Sequence, residues 1–312
     1  MAMPHRDEDT VDFLADTGGS ELLFNAKSVA LAFQFGATTH PGLVRSNNED
    51  HFAVIGRRRT NEFLLTNLPP GDLQLADDRD YALVVADGMG GRDFGEFASR
   101  MALKRMLELM AHAASWVMKF TDVDALQVRK RVDAYAQEVQ RTLRDCAAMN
   151  PSLAGMGTTW TSAHLMSTDA LIAHIGDSRA YLLHEGELHQ ITRDETMAQA
   201  LIDSGLANED VGRFRHLLLN SLGGDKDDVV AQIHYVEIAP GDQLLLCTDG
   251  LSDMVRDDEI AASLRQAANP QAACDALVSL ALDGGGEDNI TVVLARASQD
   301  AADDNASASG TP

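Results

Sequence analysis

Cysteine is scarce in this chain: among 312 residues only Cys146, Cys247 and Cys274 are found. They form no CxxC pair, and an odd number cannot be closed completely into disulfides within one chain. This usage argues against a disulfide framework or a zinc site and indicates a reducing compartment. We therefore expect a cytoplasmic protein whose cysteines are small core residues.

Positive charge is also in short supply. The chain has 25 Lys and Arg against 48 Asp and Glu, which gives a formal net charge of −23. Such a balance argues against nucleic acid or an anionic membrane surface as the main partner. No apolar run approaches the length of a membrane span, and the first ten residues are acidic and polar where a signal peptide would be basic and then apolar. An anionic substrate would have to be attracted by local positive charge.

Several motifs of phosphoryl transfer are missing as well. A P-loop requires a Gly-Lys pair, and the chain contains none. Cysteine phosphatases carry a histidine before the nucleophile, and none of the three cysteines has one. The stretch DVDAL at 122–126 is faintly similar to the motif of aspartyl-phosphate phosphatases, but it opens a predicted helix and does not end a strand. These absences leave other kinds of site to consider.

Apolar residues make up 45% of the chain, enough for a sizeable core, and their periodicity predicts a mixed fold. Helices do not alternate regularly with strands, which favours an α+β class with antiparallel sheets over a doubly wound parallel fold. Strands are predicted at 31–40, 51–56, 81–86, 158–166, 169–176, 179–186, 187–192, 231–238, 242–248 and 289–296. Helices are predicted at 95–118, 124–148, 195–204, 257–267 and 270–281.

The pattern also predicts where the globular part begins and ends. Residues 1–28 lack clear periodicity and are interpreted as an N-terminal extension. One folded domain is expected over 29–297, and the small, polar, acidic residues 298–312 are interpreted as a disordered tail. The polar segment 57–80, with its Pro-Pro-Gly sequence, is predicted to be an excursion or long loop.

Acidic residues recur at the ends of predicted strands beside glycine or other small residues. Any one such site has a simple explanation, since Asp and Gly both favour turns. Five together indicate carboxylates that meet at one edge of the sheets, where like charges need cations. Oxygen ligands select hard ions such as Mg²⁺ or Mn²⁺, and glycine would leave room for metal and substrate. The five sites are Glu49-Asp50, Asp87-Gly88, Gly176-Asp177, Asp249-Gly250 and Asp288.

The order of these motifs resembles the metal-dependent, type 2C serine/threonine protein phosphatases, in their bacterial branch. Any one motif is weakly specific, whereas six in order are highly specific, and the resemblance covers about residues 31–296. The motifs are RSNNED (45–50), ADGMGG (86–91), GTT (157–159), GDSRAY (176–181), CTDGL (247–251) and GGEDNIT (285–291).

The resemblance implies a four-layer αββα sandwich, with two antiparallel sheets flanked by pairs of helices. It also implies two tightly bound Mn²⁺ or Mg²⁺ ions at one edge, with a possible third. Asp87 would bridge two ions, and the Gly88 carbonyl would bind one of them. Asp249 and Asp288 would hold the other ion.

The remaining site residues follow from the same resemblance. Glu49 and Asp50 would act directly or through water near the first pair. Asp177 and Asp249 would form a third, weaker metal site, although a turn between two strands also explains Asp177. Arg45 would clamp the substrate phosphate, because a guanidinium offers a bidentate fork for that group.

The implied activity is hydrolysis of phosphoserine and phosphothreonine on proteins, by a monomer that counteracts a bacterial serine/threonine kinase. Two metal ions suit this reaction, because they activate a water and neutralise charge on the phosphoryl oxygens. The alternative is a catalytically silent domain that binds phosphoproteins, although such a domain would be expected to lose metal ligands. The chain departs from the family pattern at Glu195, where His or Asn is usual, and at Arg92, Asp93 and Phe94.

Overall fold

The computed structural model describes residues 31–59, 65, 78–90, 94–112, 122–207, 211–224, 226 and 228–299. The strands within them are β1 (Leu31–His40), β2 (His51–Arg59), β3 (Asp78–Ala86), β4 (Gly88–Met89), β5 (Gly157–Thr158), β6 (Trp160–Met166), β7 (Asp169–Ile175), β8 (Arg179–His184), β9 (Glu187–Gln190), β10 (Leu222–Gly223), β11 (Gln232–Glu237), β12 (Gln243–Cys247) and β13 (Ile290–Gln299). The α-helices are α1 (Phe94–His112), α2 (Asp122–Met149), α3 (Met197–Asp203), α4 (Asp249–Ser252), α5 (Asp257–Gln266) and α6 (Pro270–Asp283).

Two five-stranded antiparallel sheets form the centre of the fold. One has the strand order β1-β13-β12-β8-β9, and the other has the order β11-β7-β6-β3-β2. Helices α1 and α2 share an apolar cluster with the second sheet, while α4, α5 and α6 share another with the first. A third cluster lies between the two sheets. These layers confirm the predicted α+β sandwich with helices on both outer faces.

The central strands are apolar on both faces, as the runs ALVVA and QLLLC require. In β3, Val84 faces the helix pair while Leu83 and Val85 face the opposite sheet. In β12, Leu245 and Cys247 face α5 and α6, while Leu244 and Leu246 face the opposite sheet. The period of two thus places one strand in two cores. Burial raises the pKa of the Cys247 thiol to about 12, which agrees with a packing role for this cysteine.

Helix ends follow their capping residues. Asn269 begins α6, where its side chain accepts a hydrogen bond from the Ala272 N–H and Pro270 occupies the first turn. Thr196 caps α3 through the Gln199 N–H, so this helix begins slightly later than the predicted 195–204.

Within the described residues, none of the helices combines the length and apolar composition needed to cross a membrane.

The segment 57–80 differs from its prediction as a loop, because both of its ends continue strands. Arg57 pairs with Asp80, Arg58 with Arg79, and Arg59 with Asp78. The sequence did not indicate this extension, because the residues at this end of both strands are polar.

The far end of β13 also extends beyond the predicted domain. Gln299 pairs with Leu31, so Ser298 and Gln299 belong to a strand although the tail was predicted from 298. Residues 1–28 and the rest of the predicted tail lie outside the described residues.

A small third sheet, with the order β10-β5-β4, was not predicted. Each of its strands has two residues, too few to show a period in sequence. Gly88 pairs with Thr158, which in turn pairs with Leu222. The sheet therefore joins the glycine after Asp87 to the segment that follows α3.

Candidate active site

Strand ends from both large sheets meet at one edge of the sandwich. In one sheet, β2 begins at His51 opposite Ala86, the last residue of β3. In the other, β12 ends at Cys247 opposite Arg179, the first residue of β8, while β13 begins at Ile290. The residues just beyond these ends are Asp50, Asp87, Asp177, Asp249 and Asp288. The alternation of strands and turns thus places five aspartates at the same edge.

Asp50 lies where the two sheets meet and is only 6% exposed. Its Oδ2 accepts hydrogen bonds from the hydroxyls of Thr248, at 2.9 Å, and Thr291, at 2.7 Å, both from the opposite sheet. Burial raises the pKa of Asp50 to about 7, the two threonine hydrogen bonds lower it, and the charges of Asp249 and Asp288 raise it further. The carboxyl is therefore held in place by neutral donors inside an acidic group.

Asp87 and Asp249 remain partly open to solvent, and their charges act on each other. Burial, followed by the charges of Asp50 and Asp249, raises the pKa of Asp87 well above its ordinary value. Burial, with Asp288 as the next cause, raises the pKa of Asp249 to about 6. A hydrogen bond with Asp87 lowers the pKa of Asp249 and partly offsets these effects. Both carboxyls thus share the acidic environment at this sheet edge.

The donor set fits a hard divalent cation by its chemistry. Oδ1 of Asp50 and Oδ1 of Asp249 are buried without a hydrogen-bond partner. Such an oxygen costs about 1–3 kcal/mol when no donor or cation compensates it. Oxygen donors that repel one another suit Mg²⁺ or Mn²⁺. Among the described residues, however, no group of three or more His, Cys, Asp or Glu side chains is arranged closely enough to hold a metal ion as it stands.

Arg45 lies on the segment between β1 and β2 and points at this acidic group. Its Nη2 is 2.6 Å from Oδ2 of Asp288, and its side chain is 58% exposed. The hydrogen bond and charge of Asp288 raise the pKa of Arg45, with smaller contributions from Asp249 and Asp87. The structure thus supplies the local positive charge that an anionic substrate requires beside an acidic site.

The glycine after Asp87 is needed for close packing of the backbone beside the site. A Cβ at Gly88 would lie 2.2 Å from the Gly95 carbonyl oxygen and 2.7 Å from that of Glu49. A Cβ at Gly95 would lie 2.4 Å from Oε2 of Glu49. The two glycines therefore let the start of α1 approach the segment that carries Glu49.

Thr158 and Thr159 fix the backbone of Asp87 from below. The Thr159 N–H and the Thr158 hydroxyl both donate to the Asp87 carbonyl, at 2.9 and 2.8 Å. The Asp87 N–H donates in turn to the Thr159 hydroxyl at 3.0 Å. Both threonines are buried, as expected for structural residues under the site. Thr159 also contacts the hydroxyl of Ser178 at 2.7 Å, so it links Asp87 to the turn that contains Asp177.

The turn that carries Asp177 is held by Glu195, the residue that departs from the family pattern. Gly176 has a φ of +111°, a conformation that favours glycine. Its N–H donates to Oε2 of Glu195 at 2.9 Å, and the Glu195 N–H donates to the Gly176 carbonyl at 2.7 Å. Asn220 donates to the same carboxylate oxygen at 2.8 Å. Glu195 thus supplies an acceptor that fastens both ends of the segment around α3 to this turn.

A cavity of about 200 Å³ lies beside the acidic group, next to α3 and α4. It is lined by Asp177, Asp249 and Asp253 together with Arg179 and Arg215, among others. Asp253 was not singled out from the sequence, because it follows a four-residue helix that shows no pattern. Its charge contributes to the raised pKa values of Asp177 and Asp249, so it belongs to the same acidic group.

Two antiparallel sheets between pairs of helices, with carboxylates converging at one edge, define an αββα sandwich with a candidate metal site. The sequence profile of the family described as protein phosphatase 2C matches residues 71–282. The chain belongs to the protein phosphatase 2C family. The matched range includes Asp87, Asp177 and Asp249, while Arg45 and Asp288 lie outside it.

Individual relatives cover a larger share of the chain than the family profile does. The serine/threonine protein phosphatase PstP of Mycobacterium tuberculosis is 35% identical over 272 residues, which are 86% of this chain and 45% of PstP. The chain therefore spans less than half the length of that relative. The serine/threonine phosphatase stp of Listeria innocua is 30% identical, over 82% of this chain and 92% of stp.

Solved structures show the same fold. The crystal structure of the catalytic domain of PstP in complex with two manganese ions superposes with a TM-score of 0.66 at 33% identity. It covers 86% of this chain and 99% of that domain.

Proposed function

We propose that this chain is a metal-dependent protein phosphatase that hydrolyses phosphoserine and phosphothreonine on proteins. The observation that carries the proposal is the group of buried carboxylates at the sheet edge, with unpartnered oxygens on Asp50 and Asp249 and the guanidinium of Arg45 beside it. A group of this kind has little use without cations, and its neighbouring arginine suits a phosphate. Membership of the protein phosphatase 2C family supports the same activity.

Two Mn²⁺ or Mg²⁺ ions are the cofactors that the donor set favours, with a possible third. Asp87 and the Gly88 carbonyl would hold one ion, and Asp249 with Asp288 would hold the other. Glu49 and Asp50 would act directly or through water at the first ion, while Asp177 and Asp249 would hold the third. PstP, whose catalytic domain was solved with two manganese ions, supports the number two.

The chain's own residues would bind and orient the substrate. Bound metal ions supply an activated water and neutralise charge on the phosphoryl group. Arg45 would hold the phosphate by two parallel hydrogen bonds, because its guanidinium is exposed and its loop is fixed to residues 286–289. The cavity beside α3 and α4 would receive protein around the phosphorylated side chain.

We further propose that the substrates are phosphoproteins of the cytoplasm and that the enzyme counteracts a bacterial serine/threonine kinase. The three cysteines are unpaired, which supports a reducing compartment. A monomer suffices, since one chain supplies all eight candidate residues. The folded domain would span 29–297, with the end of β13 extending it to Gln299.

Phosphate release from synthetic peptides tests this proposal. With Mn²⁺ present, purified protein should release phosphate from peptides that carry phosphoserine or phosphothreonine. The alternative, a silent phosphoprotein-binding domain, predicts that calorimetry detects binding of the same peptides without phosphate release. Binding without turnover over a full range of Mn²⁺ and Mg²⁺ concentrations would replace the enzyme with the binding domain.

A further inference from the structure

Asn289 is buried beside Asp288, and its side-chain amide makes three hydrogen bonds to one segment of the chain. The residue is 5% exposed. Its Oδ1 accepts the Glu49 N–H at 2.7 Å, and its Nδ2 donates to the carbonyls of Pro41, at 2.9 Å, and Asn47, at 2.8 Å. Only the amide oxygen can accept and only the nitrogen can donate twice, so these partners define the orientation of the amide.

The segment that Asn289 holds is the one that carries Arg45. Two further contacts hold this segment against residues 286–288. The Leu43 N–H donates to the Gly286 carbonyl at 2.7 Å. Gly42 has a φ of +79°, and a Cβ there would lie 2.2 Å from the Asp288 carbonyl oxygen. Loop backbone groups usually bind water, whereas here residues 286–289 provide the partners.

The backbone of Asn289 contacts the other side of the acidic group. Its N–H donates to Oδ1 of Asp288 at 2.8 Å. Its carbonyl oxygen would lie 2.0 Å from a Cβ at Gly250, the residue after Asp249. One residue therefore touches the Arg45 segment, Asp288 and the neighbour of Asp249.

We propose that Asn289 is a positioning residue of the hydrolytic site, which sets where Arg45 stands relative to Asp288 and Asp249. The inference rests on the proposed phosphatase function. Asn289 does not touch substrate, since its amide is buried and saturated by backbone groups. It acts through the segment 41–49, whose displacement would move the Arg45 guanidinium away from the phosphate while Asp288 and Asp249 remain in place.

The test is the variant Asn289→Ala, with Asn269→Ala as matched control. Asn269 also uses its side chain to hold backbone, as the cap of α6, and it is outside the candidate site. Both variants should lower Tm. Asn289→Ala should raise KM for p-nitrophenyl phosphate at least about fivefold, because the arginine is misplaced. Asn269→Ala should leave KM unchanged.

A double-mutant cycle separates positioning from loss of stability. If Asn289 acts through Arg45, adding Asn289→Ala to Arg45→Ala should change KM by less than about twofold, whereas Asn289→Ala in the wild-type protein raises KM at least about fivefold. If Asn289→Ala does not fold, Asn289→Ser takes its place in the same cycle.

Two outcomes would contradict different parts of the account. An unchanged KM in a folded Asn289 variant, or independent effects of the two substitutions, would overturn the positioning role. Absence of turnover in the wild-type protein would instead overturn the proposed function.

Discussion

Arg45 and Asp288 form an ion pair although 243 positions separate them in sequence, with Nη2 of Arg45 2.6 Å from Oδ2 of Asp288. Both side chains are accessible, at 58% and 37% exposure, so the pair contributes little to stability. Its consequence is geometric, because the pair directs the guanidinium toward the carboxylates that Asp288 joins. An exposed cation held at the edge of a buried acidic group is positioned for a phosphate.

Replacing the arginine should therefore weaken substrate binding more than the fold. Arg45→Ala should raise KM for phosphorylated substrates with a small change in kcat, since a phosphate held before and during the reaction is bound uniformly. A lost charged hydrogen bond corresponds to about 1.5–3 kcal/mol, or roughly 10- to 150-fold in KM. Steady-state kinetics check this, with Arg256→Ala as control, because Arg256 is an exposed arginine paired with Asp258 elsewhere. Unchanged KM and kcat in Arg45→Ala would make Arg45 an ordinary surface residue.

Asp87→Asn should lower kcat by several orders of magnitude and stabilise the metal-free protein. The substitution removes a carboxylate from among like charges and keeps the side-chain shape. Scanning calorimetry in EDTA should show a higher Tm than for the wild type. Asp258→Asn, at an exposed carboxylate, is the control. A lower Tm together with near wild-type turnover would contradict both the repulsion and the proposed role of Asp87.

The metal-free protein should lose a contribution to stability as pH rises from about 4 to about 7. An unfolded Asp titrates near pH 3.9, whereas burial raises the pKa of folded Asp50 to about 7. The folded state then binds the proton more tightly, so the contribution is complete below the unfolded pKa and is lost as pH rises through the folded one. Asp50→Asn should lack this loss. Urea unfolding in EDTA at pH 5 and pH 8 measures it, and a constant free-energy difference between the two proteins would refute it.

The variant Asp177→Asn distinguishes a metal ligand from a simple turn residue at this position. As a ligand of a third, loosely held ion, Asp177→Asn should turn over at least about tenfold more slowly while two ions remain tightly bound, because a site with few protein ligands depends on each charge. If Asp177 is only a turn residue, the variant should keep nearly wild-type turnover, since Asn makes the same turn. We expect the first result, because the buried Asp177 lines the same cavity as Asp249. Measuring turnover as a function of Mn²⁺ concentration decides between the two roles. The control is Asp169→Asn, a substitution at an exposed strand end.

Sequence patterns predicted the elements that are apolar and periodic. Strands such as β3 and β12 contain short unbroken apolar runs, and helices such as α5 and α6 show a period of 3.6 in the sequence. The same patterns predicted that Asp87 and Asp249 would meet, because both follow strands that end at one edge.

Features that depend on single contacts between distant residues could not be predicted in this way. The amide of Asn289 reaches Pro41 and Asn47, and Thr248 and Thr291 reach Asp50 across two sheets. Such hydrogen bonds depend on three-dimensional register and leave no local period. The small sheet β10-β5-β4 was not predicted either, since two-residue strands show no alternation.

The most direct test of the account is a calorimetric titration of Mn²⁺ into metal-free protein, with phosphate release from a phosphoserine peptide followed in parallel. The account predicts two tight sites and turnover that rises from near zero as they fill. The double variant Asp87→Asn, Asp249→Asn should lose both the sites and the turnover. Full turnover of thoroughly chelated protein, or of the double variant, would contradict a metal-dependent reaction at this sheet edge.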